Sequence, residues 1–303
     1  EGQGGMDAML EQMARLLGSD ATSVRELSAA AWLLSLTDGR RVVIKRVPRQ
    51  EARDWRPGRP WTELVAIDFL SSEGLSVPKL LAADLNHGWL IREYVEGRPL
   101  HLLVDEPTFA VYRALVHHLE HIEQVLQAHR HELDGIRWWD LQRGSDPLWW
   151  AQRLESRLSP QVRGAWRDLA VEAAAGAIQL GPLDVQAANA LWDGEKTWLI
   201  DWATVGQDYR ERRLVAYAQA AFPTPVTLLD EAAYQRHARE FGASAARCLA
   251  FWDLAFWGTA WVRAQTGQTD SEANVQTIAA MWRRHRLNDA RIAAVQSGLM
   301  LEP

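Results

Sequence analysis

Asp184, Asn189 and Asp201 fall in one stretch, LDVQAANALWDGEKTWLIDW at residues 183–202, whose pattern sets their geometry. Two apolar runs, 190–192 and 197–200, flank Asp193-Gly194-Glu195-Lys196. Alternation around an Asp-Gly turn predicts a short β-hairpin. Asn189 precedes its first strand and Asp201 follows its second, so antiparallel pairing sets the two side by side at the open end. An amide oxygen and a carboxylate held together form a hard-oxygen site suited to Mg²⁺, with phosphate oxygens and water completing an octahedron. Asp184, in the loop that feeds the hairpin, adds a carboxylate able to take a proton from an attacking hydroxyl. On these residues alone, a hairpin merely capped by three polar side chains is an equally open reading.

A second set lies in the first third. Lys45, in Val42-Val43-Ile44-Lys45-Arg46-Val47, shares a strand face with Val43 and Val47. A lone lysine on such a face usually reaches to water. Glu63, however, shares a helical stripe with Ala66, Ile67 and Leu70. A carboxylate there is costly unless paired. Lys45 is its natural partner, and the paired ammonium would face the phosphates of a nucleotide. The alternative is an exposed first turn in which Glu63 favours the helix dipole.

The elements that must position these groups change character along the chain. A helix is expected over residues 6–17, strands near 24–27, 30–36 and 41–47, and a turn at Asp38-Gly39. Residues 49–60 read as a loop and 61–73 as a helix stopped by Gly74, followed by strands over 78–83 and 88–94. From about residue 100 long helices dominate, with one further hairpin near residue 190. A strand-rich third followed by a helical remainder predicts an α+β protein with a boundary near residues 93–99.

Composition narrows the function classes. The chain of 303 residues is 48% hydrophobic, enough for a sizeable core, and its net charge is −6. It lacks the basic block that follows a phosphate backbone, so no nucleic acid partner is expected. No run approaches the roughly 18 apolar residues that span a bilayer, and no membrane association is expected. Cys248, the single cysteine, forms no internal disulfide, in keeping with a cytoplasmic location, and reads as a buried inert thiol. Residues 1–5 read as a tag remnant before a start at Met6, and no signal peptide is visible.

In the order in which they occur, Lys45, Glu63, Ile91-Arg92-Glu93-Tyr94-Val95-Glu96-Gly97, Asp184-x4-Asn189 and Leu199-Ile200-Asp201-Trp202 resemble the aminoglycoside phosphotransferase and choline kinase-like family. The link Gly74-Leu75-Ser76-Val77-Pro78-Lys79-Leu80-Leu81-Ala82-Ala83-Asp84 is similar to that family's connection of helix to strand. The likeness covers about residues 20–220. It implies a bilobal, protein-kinase-like α+β fold, with a small N-terminal β-sheet lobe over residues 6–95 and a larger helical lobe over 96–303. It implies a small-molecule O-phosphotransferase moving the γ-phosphate of ATP or GTP to a hydroxyl of an antibiotic, sugar or amino alcohol. Asp184 would be the base, Asn189 and Asp201 would hold Mg²⁺, Lys45 with Glu63 would bind phosphates, and the backbone of Glu93, Tyr94 and Val95 would bind the base of the nucleotide.

Three departures accompany the likeness. The family's His-Gly before the catalytic aspartate is here Pro182-Leu183, and a second aspartate that braces the catalytic loop is here Arg213. The expectation is that Pro182 rigidity and Trp202 packing rebuild that support. The hairpin over the nucleotide, residues 27–36, has no glycine; Ser28-Ala29-Ala30-Ala31 stands at its tip, where Ser28 is placed to donate to a phosphate. These changes keep a competing class in play, a kinase-like binding module that has lost turnover. For the acceptor, Asp253, Trp257 and Trp261 recur at i, i+4 and i+8, a pattern that fits either a cation-binding face or a buried aromatic stripe. Trp138, Trp139, Trp149 and Trp150 either line a pocket or pack, and His117, His118, His121, His129 and His131 read as a solvated helix face.

Overall fold

A computed structural model describes residues 12–13, 15–47, 60–103, 106–133, 138–141, 143–184, 186–218, 229, 231–267 and 276. The helix expected over 6–17 lies largely outside this set, with residues 12–13 and 15–17 helical within it, and the loop expected over 49–60 lies outside it except residue 60, which begins a helix.

Alternating apolar residues build a five-stranded antiparallel sheet from β1 (Ala21–Ser28), β2 (Ala31–Leu36), β3 (Arg41–Arg46), β4 (Leu80–Asp84) and β5 (Trp89–Glu93), in the order β1-β2-β3-β5-β4. Val42 and Ile44 point to one face, where they pack with Met13, Leu34, Leu36 and Ile91. Val43 and Lys45 point to the other. Helix α1 (Pro60–Ser72) starts with proline at its first position, where the missing N–H leaves no bond unmade. It ends at Gly74, whose φ of 77° lets the Leu75 N–H return to the Leu70 carbonyl at 3.0 Å.

The remainder is mainly helical: α2 (Thr108–Ala128), α3 (Pro147–Glu155), α4 (Arg163–Ala174), α5 (Arg210–Ala218), α6 (Glu231–Phe241) and α7 (Ala243–Gln265). Helix α2 buries Val111, Leu115, Leu119, Ile122 and Leu126 along one stripe. The main core runs without a break from Ile67 and Leu90 through Leu115 to Trp202 and Leu254, crossing the segment near residues 93–99. No helix among the described residues is long and apolar enough to cross a membrane.

Beyond residue 100 the sheet content exceeds the single expected hairpin. Strands β7 (Ile178–Pro182) and β10 (Val205–Tyr209) pair antiparallel, from Val205 opposite Pro182 to Tyr209 opposite Ile178. Strand β6 (Arg98–Pro99) adds to β8 (Ala190–Trp192) and β9 (Thr197–Leu199) in a three-stranded sheet of order β6-β8-β9. Glycine conceals β10 in the sequence. A Cβ on Gly206 would lie 2.6 Å from the Trp139 carbonyl oxygen, so only glycine admits the bridge that residue 139 makes there.

Candidate functional site

The hairpin forms as its sequence dictates, with Ala190 opposite Leu199 and Trp192 opposite Thr197. Asp193 fastens the turn, its Oδ1 accepting from the Glu195 and Lys196 amides at 2.9 and 2.8 Å, while Gly194 takes a φ of 104°. One residue past the strands, the Ile200 N–H donates to the Asn189 carbonyl at 3.0 Å. Asn189 and Asp201 thus reach the same open end. The Asn189 Nδ2 donates to the Asp184 carbonyl at 3.2 Å, which leaves its Oδ1 as the acceptor for a cation. The Asp184 carboxylate is exposed and accepts from Gln186 Nε2 at 3.0 Å. Below them, β7 and β10 close the base of the excursion, with the Leu183 N–H on the Thr204 carbonyl at 3.0 Å.

Lys45 joins this end to the sheet. Its Nζ lies 2.8 Å from both carboxylate oxygens of Glu63 and 3.2 Å from Asp201 Oδ1. Glu63 stands in the first turn of α1, yet its side chain is only 1% exposed, so the pairing with Lys45 and not the open helix end explains it. Burial pushes the Glu63 carboxyl above its ordinary value, with Lys45 pulling it down and Asp201 pushing it further up.

Arg92, to which the sequence pattern assigns no role of its own, completes the cluster. It stands opposite Val43 on β5, is buried, and donates to the Ile200 carbonyl. Burial lowers its pKa, while Glu63 and Asp201 raise it. The signal was present: Leu90 and Arg92 alternate on the face that carries Lys45, and a second inward cation there needs a second carboxylate. Two cations and two carboxylates therefore meet, and the Ile200 peptide is held at both ends immediately before Asp201.

At the sheet tip, Ser28 Oγ accepts from the Ala30 N–H at 3.3 Å, and the Ala30 carbonyl accepts from the Arg46 N–H at 2.7 Å. Ala31 pairs with Lys45, so the tip lies beside the lysine's strand. No described non-glycine residue has positive φ, so the alanine tip forms without backbone strain. On the segment leaving β5, the Glu93 N–H goes to the Lys79 carbonyl at 2.9 Å and the Tyr94 N–H to the Arg41 carbonyl at 3.2 Å. The Glu93 carboxylate accepts from the Lys79 amide at 2.9 Å.

No group of three or more His, Cys, Asp or Glu is set to hold a metal among the described residues. Asn189 Oδ1 and the Asp201 carboxylate, carried at the same end of the hairpin, are hard oxygens. They suit Mg²⁺, which keeps several waters and takes one or two carboxylates plus phosphate oxygens.

The acceptor-side patterns resolve toward packing. Asp253 and Trp257 on α7 are fully buried, and Asp253 accepts from the Tyr234 hydroxyl, so this stripe is core; the Trp261 side chain lies outside the described residues. Trp150 donates to the Gly144 carbonyl at 2.7 Å and stacks edge-on with Trp149. Cys248 is buried, its thiol pushed up to about 12 chiefly by burial. Among the histidines expected on a solvated face, His118 is an exception: it turns inward to Thr197 Oγ1 at 3.1 Å. Support for the Asp184 loop has a member beyond the expected Pro182 and Trp202. Trp202 is buried and donates to the Leu199 carbonyl at 3.1 Å, while the group that reaches Pro182 is Arg213, at 3.0 Å.

No family model matches the sequence, and no curated protein matches it. Solved structures do match. A macrolide 2'-phosphotransferase from Brachybacterium faecium aligns with a TM-score of 0.55 at 16% identity, over 92% of this chain and 97% of that one. A choline kinase from Cryptosporidium parvum Iowa II aligns with a TM-score of 0.58 at 10% identity, over 98% of each chain. A thermostable mutant of an aminoglycoside phosphotransferase gives 0.51 at 13% identity, over 95% of this chain and 98% of that one. The chain therefore has the protein-kinase-like fold of the aminoglycoside phosphotransferase and choline kinase-like structures.

Proposed function

We propose that this chain is a small-molecule phosphotransferase that moves the γ-phosphate of ATP or GTP to a hydroxyl group. The observation that carries this reading is the placement of Lys45 Nζ between Glu63 and Asp201, which joins β3, α1 and the open end of the hairpin at one point. An ammonium so held is a fixed point charge for phosphate oxygens. Asn189 Oδ1 and the Asp201 carboxylate would hold Mg²⁺, which neutralises phosphate charge when bound. Asp184, exposed and tied by its own carbonyl to Asn189, would accept the proton of the attacking hydroxyl. The backbone of Glu93, Tyr94 and Val95, on the segment leaving β5, would take the purine edge. Ser28, at the sheet tip, would donate to a phosphate.

The acceptor is a hydroxylated small molecule. The fold neighbours named for macrolide and choline substrates mark the range to screen, from antibiotics to amino alcohols and sugars. The test begins with thermal melts in ATP or GTP with and without Mg²⁺, followed by transfer of labelled γ-phosphate to a panel of such acceptors. Stabilisation that requires both nucleotide and Mg²⁺ is expected. Asp184→Ala should retain it while turnover falls by roughly 10²–10⁴-fold. Absence of any nucleotide effect at millimolar concentration would replace this reading with that of a nucleotide-free binding module. Turnover that survives in Asp184→Ala would remove the base assignment.

A further inference from the structure

Arg213, on α5, is fully buried, and its guanidinium serves four acceptors. Nε donates to the Pro182 carbonyl at 3.0 Å, and Nη2 to the Gln179 carbonyl at 3.1 Å and the Gly206 carbonyl at 3.5 Å. Nη1 donates to Glu123 Oε1 at 2.6 Å. Glu123, on α2, is itself 1% exposed and takes Arg210 Nε on its other oxygen at 2.7 Å. Gln179 and Pro182 belong to β7 and Gly206 to β10. One side chain therefore crosslinks the two strands whose pairing closes the excursion that carries Asp184, Asn189 and Asp201. Its anchor at Pro182 lies two residues before Asp184. The space is made for it: a Cβ on Gly181 would stand 2.7 Å from Arg213 Cζ.

This arrangement is a poor device for stability. An apolar pair in place of a buried ion pair is often neutral or better for folding. What a planar, always charged guanidinium provides is direction, because it fixes several carbonyls at once. A carboxylate at this position would hold N–H groups; arginine holds the opposite pole of the same backbone.

We propose that Arg213, anchored by Glu123, is the positioning residue for Asp184, fixing the strand end that delivers the carboxylate to the attacking hydroxyl. This rests on Asp184 as the base, as argued above. Misplacement of a reacting group by about 1 Å can lower a rate by about 100-fold.

The test is the double variant Arg213→Met/Glu123→Leu, which removes both members of the sealed pair and leaves Arg210 the Glu120 carboxylate at 3.6 Å. Four quantities are measured: thermal midpoint, its shift with Mg²⁺ and ATP, hydrolysis of ATP with water as acceptor, and hydrogen exchange of the amides of residues 183–189. The expected result is a little-changed midpoint and nucleotide shift, with KM for ATP within about threefold and kcat lower by about 100-fold. Loop amides should exchange about tenfold faster while those of β8 and β9 do not. Gly181→Ala, which displaces the guanidinium and changes no charge, should move kcat and loop exchange the same way by less, and carries the test should the double variant not fold. Arg213→Lys should recover only a small part, since an ammonium lacks the fork. Unchanged loop exchange and kcat in the double variant and in Gly181→Ala would overturn the proposal. Should the parent protein show neither nucleotide stabilisation nor hydrolysis, the phosphotransferase reading fails instead, and loop exchange alone still decides whether Arg213 holds the loop.

Discussion

Two networks of buried charge lie on either side of the hairpin, and they differ in one respect that separates chemistry from scaffold. Around Lys45, one wall is open: the Lys45 and Asp201 side chains are 18% and 26% exposed, while Glu63 behind them is 1% exposed. Around Arg213, both members of the central pair are sealed, at 0% and 1%. The open network joins ions to ions, and its outer members can exchange a partner for phosphate or metal. The sealed network joins an ion chiefly to backbone carbonyls and has no such freedom. On the proposed reading, the partly exposed Lys45 and Asp201 are where a ligand would act, while the closed Arg213–Glu123 pair, with Arg210 18% exposed at its edge, holds the site in place.

The largest effect should come from removing the hub of the open network. Lys45→Met leaves Glu63 buried without its close partner, which costs about 3–5 kcal/mol when a pair is fully buried and about 2–3 kcal/mol once the exposure of Lys45 is counted. The pH dependence has a definite sign. Burial already holds the Glu63 carboxyl above its ordinary value, and Lys45 is the chief influence against it. A carboxyl raised by folding contributes stability that is full below its unfolded pKa and lost as pH rises through the folded one. The deficit of Lys45→Met, read as a difference in thermal midpoint from the parent, should be greatest near neutral pH and shrink as pH falls toward ~5. A deficit independent of pH would show that Glu63 is not the group Lys45 neutralises.

How much of this was legible depends on the range of the pairings. The hairpin from Asn189 to Asp201 was readable because both strands and the turn lie within one short stretch. Lys45 and Glu63 were readable because each breaks an apolar pattern of known period. Strands β7 and β10 were not, since their partners are distant in sequence and Gly181 and Gly206, needed for close approach of Arg213 and Trp139, interrupt the alternation. Arg213 looked like a missing aspartate because its acceptors are backbone carbonyls, which no side-chain pattern records. The buried-stripe reading of Asp253 and Trp257 is the one the structure bears out, and only the Tyr234 hydroxyl on α6 that Asp253 accepts from lies beyond the spacing of α7.

A smaller effect is expected from the other cation of the open network. Arg92→Met removes the donor to the Ile200 carbonyl but leaves Lys45 on Glu63 and Asp201. Its influence on Asp201 passes through one peptide, as with side chains that orient a metal ligand, whose loss typically weakens metal affinity about 10–100-fold. The Mg²⁺ concentration giving half of the ATP-dependent thermal shift should therefore rise by about tenfold, with little change in the midpoint without nucleotide. An unchanged Mg²⁺ requirement would confine Arg92 to packing and restrict the open network to Lys45, Glu63 and Asp201.

The smallest effect concerns a ring outside both networks and should run the opposite way with pH. His118 reaches Thr197 Oγ1 with one ring nitrogen, and its Nε2 is buried without a partner among the described residues. Burial first, then His121 and Lys196, holds its pKa down at about 3, against an ordinary 6.5. A histidine lowered by folding contributes stability that is present above its unfolded pKa and lost as pH falls toward the folded one. His118→Gln keeps a polar atom for Thr197 and removes the titration, so the parent should lose about 1–2 kcal/mol more than the variant between pH ~7 and ~5. Over the same descent the Lys45→Met deficit should narrow, because there acid neutralises a stranded carboxylate, whereas here acid rewards the unfolded chain for a proton the sealed ring cannot take. Opposite slopes in the two series would tie each to its own titrating group, Glu63 in one and His118 in the other; parallel slopes would mean that a common acid transition, and not these groups, governs both.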